Sequence, residues 1–275
     1  MEIIREIKKK TPIALKKIVR KVVLSSYAGR NLTVMDGDAF IVSYPKSGNT
    51  WTRFLIAHLV YKNEEINFAN IEKKVPDIYQ NTDGALLKLT QPRIIKSHEY
   101  FDPRYHRVIC IVRDPRDIVV SYYHHMIKIR VFEEGYPISL FVESFLNGEL
   151  DPFGSWGENV GGWVGAREGD TSFLLLRYED MLINTVDELK KIAGFLGIQV
   201  SDNDLQNVVV SSSFDNMRSL EEKYSKDWLP TRSSRIDKPF VRSGKSGSWG
   251  ADLSPEYAEI ILKKWHTLMA KFNYE

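Results

Sequence analysis

Tyr44-Pro45-Lys46-Ser47-Gly48-Asn49-Thr50-Trp51 stands between an apolar run, Ala39 to Tyr44, and an amphipathic one, Thr50 to Tyr61. The first run has the length and apolar continuity of a buried strand, and the second has helical spacing. The octapeptide therefore reads as a strand end, a tight turn and a helix start. Gly48 permits close backbone approach, the first helical N–H groups are unpaired, and Ser47, Asn49 and Thr50 add donors, so an oxyanion group fits there. Lys46 brings a full positive charge to the same point. In the nucleotide loop GxxxxGK[ST] the lysine follows the second glycine, whereas here it precedes Gly48, which disfavours an ordinary nucleoside triphosphatase. An exposed turn with a solvated lysine is the plainer reading of an isolated K-S-G triplet, and Trp51 and the strand-helix context weigh against it.

Outward from this turn, compact apolar runs at Arg93 to Ser97, Arg107 to Val112 and Ser172 to Arg177 read as further buried strands. Helices are predicted at Pro115 to Lys128, Ser139 to Leu146, Thr185 to Leu196 and Pro255 to Phe272. Asp114-Pro115 and Ser254-Pro255 are start signals, because Asp or Ser caps a helix and proline suits its first turn. The alternation predicts an α/β fold with a central parallel sheet flanked by helices, whose ligands collect at the carboxyl ends of the strands. Arg218 to Gly250, rich in Lys, Arg, Ser, Gly and Pro, reads as a long loop. Arg232, Arg235, Arg242 and Lys245 suit it to a lid over an anion.

The chain has 275 residues, 43% hydrophobic and 27% charged, which is enough for one full core. Its single cysteine, Cys110, lies in the apolar run Val108 to Val112, so no intrachain disulfide forms and a reducing compartment fits. With no run of about 20 apolar residues and no clean signal peptide, the expected location is the cytoplasm. The net charge of +2 is uneven: residues 1–35 hold nine Lys/Arg against two Glu, +7, which leaves −5 for the remainder. Residues 1–35 are read as a basic arm and 36–275 as a single domain. In the arm Leu15, Ile18, Val19, Val22 and Val23 follow helical spacing opposite Lys16, Lys17, Arg20 and Lys21. That pattern suits either peripheral contact with an anionic membrane or a helix docked on the domain.

Two more segments carry chemistry. Arg113, at the end of a strand, suits bidentate phosphate binding, and Ser121 lies on the following helix. Lys96-Ser97-His98 ends another strand, so His98 faces the same ligand edge as Lys46, and an imidazole accepts a hydroxyl proton near neutral pH. A structural histidine and a surface serine are the alternatives. HExxH, paired CxxC, GxSxG and metal-spaced carboxylates are absent, so no metal is expected; no nucleic-acid reading motif occurs either.

Together these segments resemble the cytosolic-type sulfotransferase family, from about Asp38 to Trp249. YPKSGNTW is similar to that family's 5′-phosphosulfate loop and VRDPRDIVVSYYHH to its 3′-phosphate element. Arg242-Ser243-Gly244-Lys245-Ser246-Gly247-Ser248-Trp249 is similar to its late RxGxxGxW loop. Arg177 to Met181, with Tyr178, and Ser212-Ser213-Phe214 resemble its adenine-side segments. The resemblance implies a P-loop-like nucleotide-binding architecture and transfer of a sulfuryl group from 3′-phosphoadenosine-5′-phosphosulfate (PAPS), leaving 3′,5′-adenosine diphosphate (PAP), without a metal.

On that resemblance His98 activates the acceptor hydroxyl and Lys46 meets charge developing on the leaving phosphate oxygen. Lys46, Ser47, Gly48, Asn49 and Thr50 hold the 5′ side; Arg113, Ser121 and Arg242 hold the 3′-phosphate, and Ser243 and Gly244 of the late loop also contact the cofactor. Trp51 and Phe214 enclose the base, near Tyr178 and Ser212. Lys96 and Ser121 are possible catalytic support. Ser243 stands where the family commonly has a second basic residue, and Gly250 to Leu253 departs from the family's dimer segment, so the oligomeric state stays open. The acceptor is expected to be a small, hydrophobic phenol, alcohol, lipid or glycoside, in a pocket lined by the stretches 61–91 and 129–163, where Phe132, Tyr136, Phe141, Phe145, Phe153 and Trp156 suggest an apolar wall. A P-loop-like kinase and a non-catalytic membrane-surface nucleotide-binding protein are the competing readings.

Overall fold

The computed structural model describes residues 27–275. The predicted basic arm lies outside the described residues up to residue 26. In chain order the elements are β1 (Ala39–Ser43), α1 (Asn49–Val60), α2 (Ile71–Lys74), α3 (Asp83–Leu86), β2 (Ile94–Ser97), β3 (Arg107–Val112), α4 (Pro115–Lys128), α5 (Ile138–Leu146) and α6 (Trp156–Arg167). They continue with β4 (Phe173–Arg177), α7 (Tyr178–Ile183), α8 (Thr185–Leu196), α9 (Asp202–Ser211), α10 (Phe214–Tyr224) and α11 (Pro255–Lys271).

The strands form one parallel sheet in the order β2-β1-β3-β4. Parallel neighbours need crossover connections, and the helices supply them on both faces. Side chains alternate accordingly: Phe40 and Val42 of β1 and Val108, Cys110 and Val112 of β3 join the core on one face. Ile41, Ile109 and Ile111 join the core on the other. Burial pushes the Cys110 thiol up to about 12. A buried pair, Arg93 Nη2 to Asp38 Oδ2 at 2.5 Å, ties the residues that precede β2 and β1.

The predicted strands and the five predicted helices form within one residue of their expected bounds. Asp114 accepts from the Arg116 amide with Pro115 in the first turn, and Ser254 does the same for Tyr257 ahead of α11. Residues Arg218 to Tyr224 are helical, as the end of α10, so the irregular segment is shorter than expected from sequence. The amphipathic faces of α10 bury Met217 and Glu221. No described helix is long and apolar enough to cross a membrane.

Candidate active site

The turn after β1 bends on two positive φ angles, 71° at Lys46 and 92° at Gly48. At Gly48 a Cβ atom would stand 2.4 Å from the ring of Tyr178, so both conformation and space require glycine. The first helical bond of α1 is Thr52 N–H to Gly48 O at 3.1 Å, which leaves the preceding amides at the turn. Arg113, at the end of β3, donates to Lys46 O at 3.0 Å and to Lys245 O at 3.1 Å. Its guanidinium lies 4.5 Å from the centre of the Tyr178 ring. One arginine thus ties the turn, the late loop and the start of α7.

Lys46 Nζ stands 4.8 Å from the centre of the Phe240 ring. Burial first, and then Arg113 and Arg242, lower the Lys46 ammonium to about 7. Three like charges converging on a cavity are stabilised when an anion joins them.

Two expected donors turn away. Ser47 is wholly buried and does not line the cavity, and Asn49 Nδ2 points inward to Ser43 Oγ at 3.0 Å and Ile41 O at 3.5 Å. Beneath the turn the Ile41 carbonyl and the Ser43 hydroxyl accept from the Asn49 amide, which braces the loop from below, whereas Ser47 Oγ is buried without a partner among the described residues. Gly48, Asn49, Thr50 and Trp51 still line the cavity.

His98 follows β2 and lies on the wall of the same cavity as Lys46. Its Nδ1 is 2.8 Å from Ser43 O; a carbonyl only accepts, so Nδ1 carries the proton and Nε2 keeps its lone pair. Burial, then Lys96, lower the imidazole to about 3, against smaller opposing effects of Asp77 and the Ser43 carbonyl. Lys96 Nζ is held by Asp77 Oδ2 at 2.7 Å, both buried, and the segment at Asp77 pairs with Lys96 as a parallel bridge beyond β2. Lys96 is therefore engaged in an ion pair that sequence reading does not foresee.

On the other side, Trp51 Nε1 donates to Ser212 O at 2.9 Å and meets Tyr178 edge to face at 5.9 Å. Phe214 is 41% exposed; Gly244, with φ of 60°, lies so close that a Cβ would be 2.5 Å from its ring. Ser121, Arg242 and Ser243 line the same cavity. Tyr178 backs Gly48 and Arg113, on the turn side of Trp51. Arg113 Nε and Ser212 Oγ are buried without a partner among the described residues, and an anionic nucleotide with many acceptor oxygens fits such a wall. These residues enclose a cavity of about 670 Å³, the size of a small-molecule site. Among the described residues no group of His, Cys, Asp or Glu is arranged to hold a metal ion.

The late loop is pinned from beneath. Glu221 accepts from the Phe240 and Val241 amides at 2.6 and 2.9 Å. Lys128 Nζ, 3.3 Å from Glu221, donates to Arg235 O at 3.2 Å and Lys238 O at 2.6 Å. Arg235 itself pairs with Glu134 and Asp237, and neither Arg232, Arg235 nor Lys245 lines the cavity; of the four cations expected over the anion only Arg242 does.

Of the six rings expected around the acceptor, Phe153 alone lines the cavity. Phe132, Phe141, Phe145 and Trp156 are core, and Tyr136 packs against it; α5 turns Phe141 and Phe145 inward and α6 does so for Trp156. Asp77, Tyr79, Gln80, Tyr122, His125 and Phe240 line the cavity. None of the six was singled out from sequence as a site residue, although Asp77, Tyr79 and Gln80 fall in the stretch 61–91 expected to line the acceptor pocket and Tyr122 and His125 fall in the segment VRDPRDIVVSYYHH; Phe240 lies two residues before Arg242 of the late loop.

The family model for the sulfotransferase domain matches residues 36–273. The chain is 32% identical over 251 residues to Sulfotransferase 2A6 of Rattus norvegicus, covering 87% of each. It is 30% identical over 251 residues to the 3-beta-hydroxysteroid sulfotransferase of Cavia porcellus, covering 87% of this chain and 86% of that one. Among solved structures it is similar to mouse sulfotransferase SULT7A1 complexed with PAP, with a TM-score of 0.69 and 26% identity, over 90% of this chain and 89% of that one.

Proposed function

This chain belongs to the sulfotransferase domain family, and on that premise we propose that it transfers a sulfuryl group from PAPS to a hydroxyl of a small acceptor with an apolar part. The observation that carries the reading is the meeting of Lys46, Arg113 and His98 on one cavity, at the carboxyl ends of β1, β3 and β2. PAPS supplies a sulfuryl group already joined to a phosphate leaving group. His98 Nε2 takes the proton of the acceptor hydroxyl. Lys46 and the amides at the turn meet the charge left on the phosphate oxygen. Arg113, Ser121 and Arg242 hold the 3′-phosphate, which separates PAPS from other adenine nucleotides; Gly244 and Ser243 carry the loop over it, and Trp51 and Phe214 flank the base beside Ser212.

Calorimetric binding of PAP beside ADP in metal-free buffer tests this assignment. A strong preference for PAP is expected, because ADP lacks the phosphate that Arg113 and Arg242 would meet. Equal affinity, or no binding of either, overturns it.

A further inference from the structure

We propose that the acceptor carries a polyhydroxylated head, of the kind found on a glycoside, seated on Asp77, Gln80 and Lys96 beside His98. The proposal rests on the sulfotransferase reading and names the acceptor class for the same cavity. Lys96 Nζ spends one of its three N–H groups on Asp77, and no other acceptor among the described residues takes the remaining two. Asp77 receives the Tyr79 amide on Oδ1 at 2.9 Å, and Lys96 and Gln80 on Oδ2 at 2.7 and 3.3 Å, which leaves lone-pair capacity on Oδ1.

The Gln80 amide is oriented by the same carboxylate. A carboxylate only accepts, so Nε2 faces Asp77 and Oε1 is directed elsewhere, buried without a partner. The wall next to the reacting imidazole thus holds an ammonium with free donors, a carboxylate and an unsatisfied carbonyl. An apolar acceptor pressed on it would leave each unpaired, at a cost larger than the gain from contact. A diol or polyol pairs with both the donors and the acceptors. Phe153, its ring centre 5.6 Å from His98 and 5.0 Å from Tyr79, adds a flat apolar face for the C–H side of a sugar ring. Sites built on buried polar groups reject analogues that lack the matching hydroxyl.

The test compares octyl β-D-glucopyranoside with 1-octanol, which shares the tail without the polyol, and with a 3β-hydroxysteroid. Binding to the PAP-loaded chain is measured by calorimetry below the micellar concentration, and turnover is measured with PAPS. Octyl glucoside is expected to bind and to exceed 1-octanol in kcat/KM by about tenfold or more, and Gln80→Met is expected to cut that ratio by about fivefold, the worth of one neutral hydrogen bond. Equal or better use of octanol or the steroid, no binding of octyl glucoside to the PAP complex, or a ratio unmoved by Gln80→Met overturns the proposal. The wild-type comparison stands whether or not the variant folds. Failure of PAP to bind overturns the sulfotransferase reading as well, whereas PAP binding with octanol preferred overturns only the acceptor class.

Discussion

Nδ1 of His98 lies 2.8 Å from the carbonyl oxygen of Ser43, so the residue that ends β1 fixes the tautomer of an imidazole that follows β2. The two strands are adjacent and parallel, with Val42 opposite Ser97. Sheet register therefore decides which nitrogen of His98 keeps its lone pair.

His98→Ala is expected to lower turnover by about 10²- to 10⁴-fold, the usual worth of a positioned general base, while the PAP binding isotherm is unchanged. Loss of PAP binding in a folded variant would contradict the assignment. With the group lowered to about 3, the imidazole stays neutral from about pH 5 to 8. A kcat profile that falls on the acid side near the ordinary histidine value would also count against it.

PAP affinity is expected to weaken as pH rises above about 7, the value to which burial, Arg113 and Arg242 lower Lys46. A bound phosphate raises that group, so the complex holds more proton than the free protein, and linkage sets the sign. Calorimetry in two buffers of different ionisation heat should show net proton uptake on the alkaline side of 7. Lys46→Met should abolish both uptake and slope; a slope that survives assigns it elsewhere.

Gly48→Ala combines a left-handed φ of 92° with a Cβ 2.4 Å from Tyr178. The backbone alone costs about 1–2 kcal/mol, and a chain of this size loses about 2–4 °C per kcal/mol. Scanning calorimetry should show a drop of several degrees, with PAP binding lost. An unchanged Tm with normal PAP affinity would mean that Tyr178 moves aside freely.

The buried Lys128–Glu221 pair holds the loop that carries Phe240 and Val241 over Lys46. Glu221→Gln leaves one loop amide and the Lys128 ammonium poorly paired. The Kd for PAP should rise about tenfold, the effect of one lost hydrogen bond to a charged group, and residues 225–241 should become open to limited proteolysis. An unaltered Kd with unaltered cleavage would show that the loop is held from elsewhere.

Much of this protein is legible in the chain itself. The apolar runs that become β1 to β4, and the proline and Asp or Ser signals at α4 and α11, are local, and local signals fix elements whose faces must be buried. The turn at Lys46 to Trp51 is legible for the same reason, since a strand, a glycine and a helix start within eight residues leave few geometries. Helix α6 was missed because Gly157, Gly161, Gly162 and Gly165 argue against a helix; the Ser155–Glu158 capping box was the signal that it starts there.

What the tertiary structure alone decided concerns side-chain direction and pairing across long separations. Asn49 points beneath the turn because β1 places acceptors there, and Ser47 is buried out of the cavity. Phe141, Phe145 and Trp156 went to the core because packing of helices, invisible to spacing, chose their face. Asp77 met Lys96, and Glu221 met Lys128, through sheet and helix neighbours 19 or more positions apart. Sequence determined which charges exist and where strands end; only the fold, by bringing distant carboxylates to those cations, determined which of them are neutralised and which remain to meet a ligand.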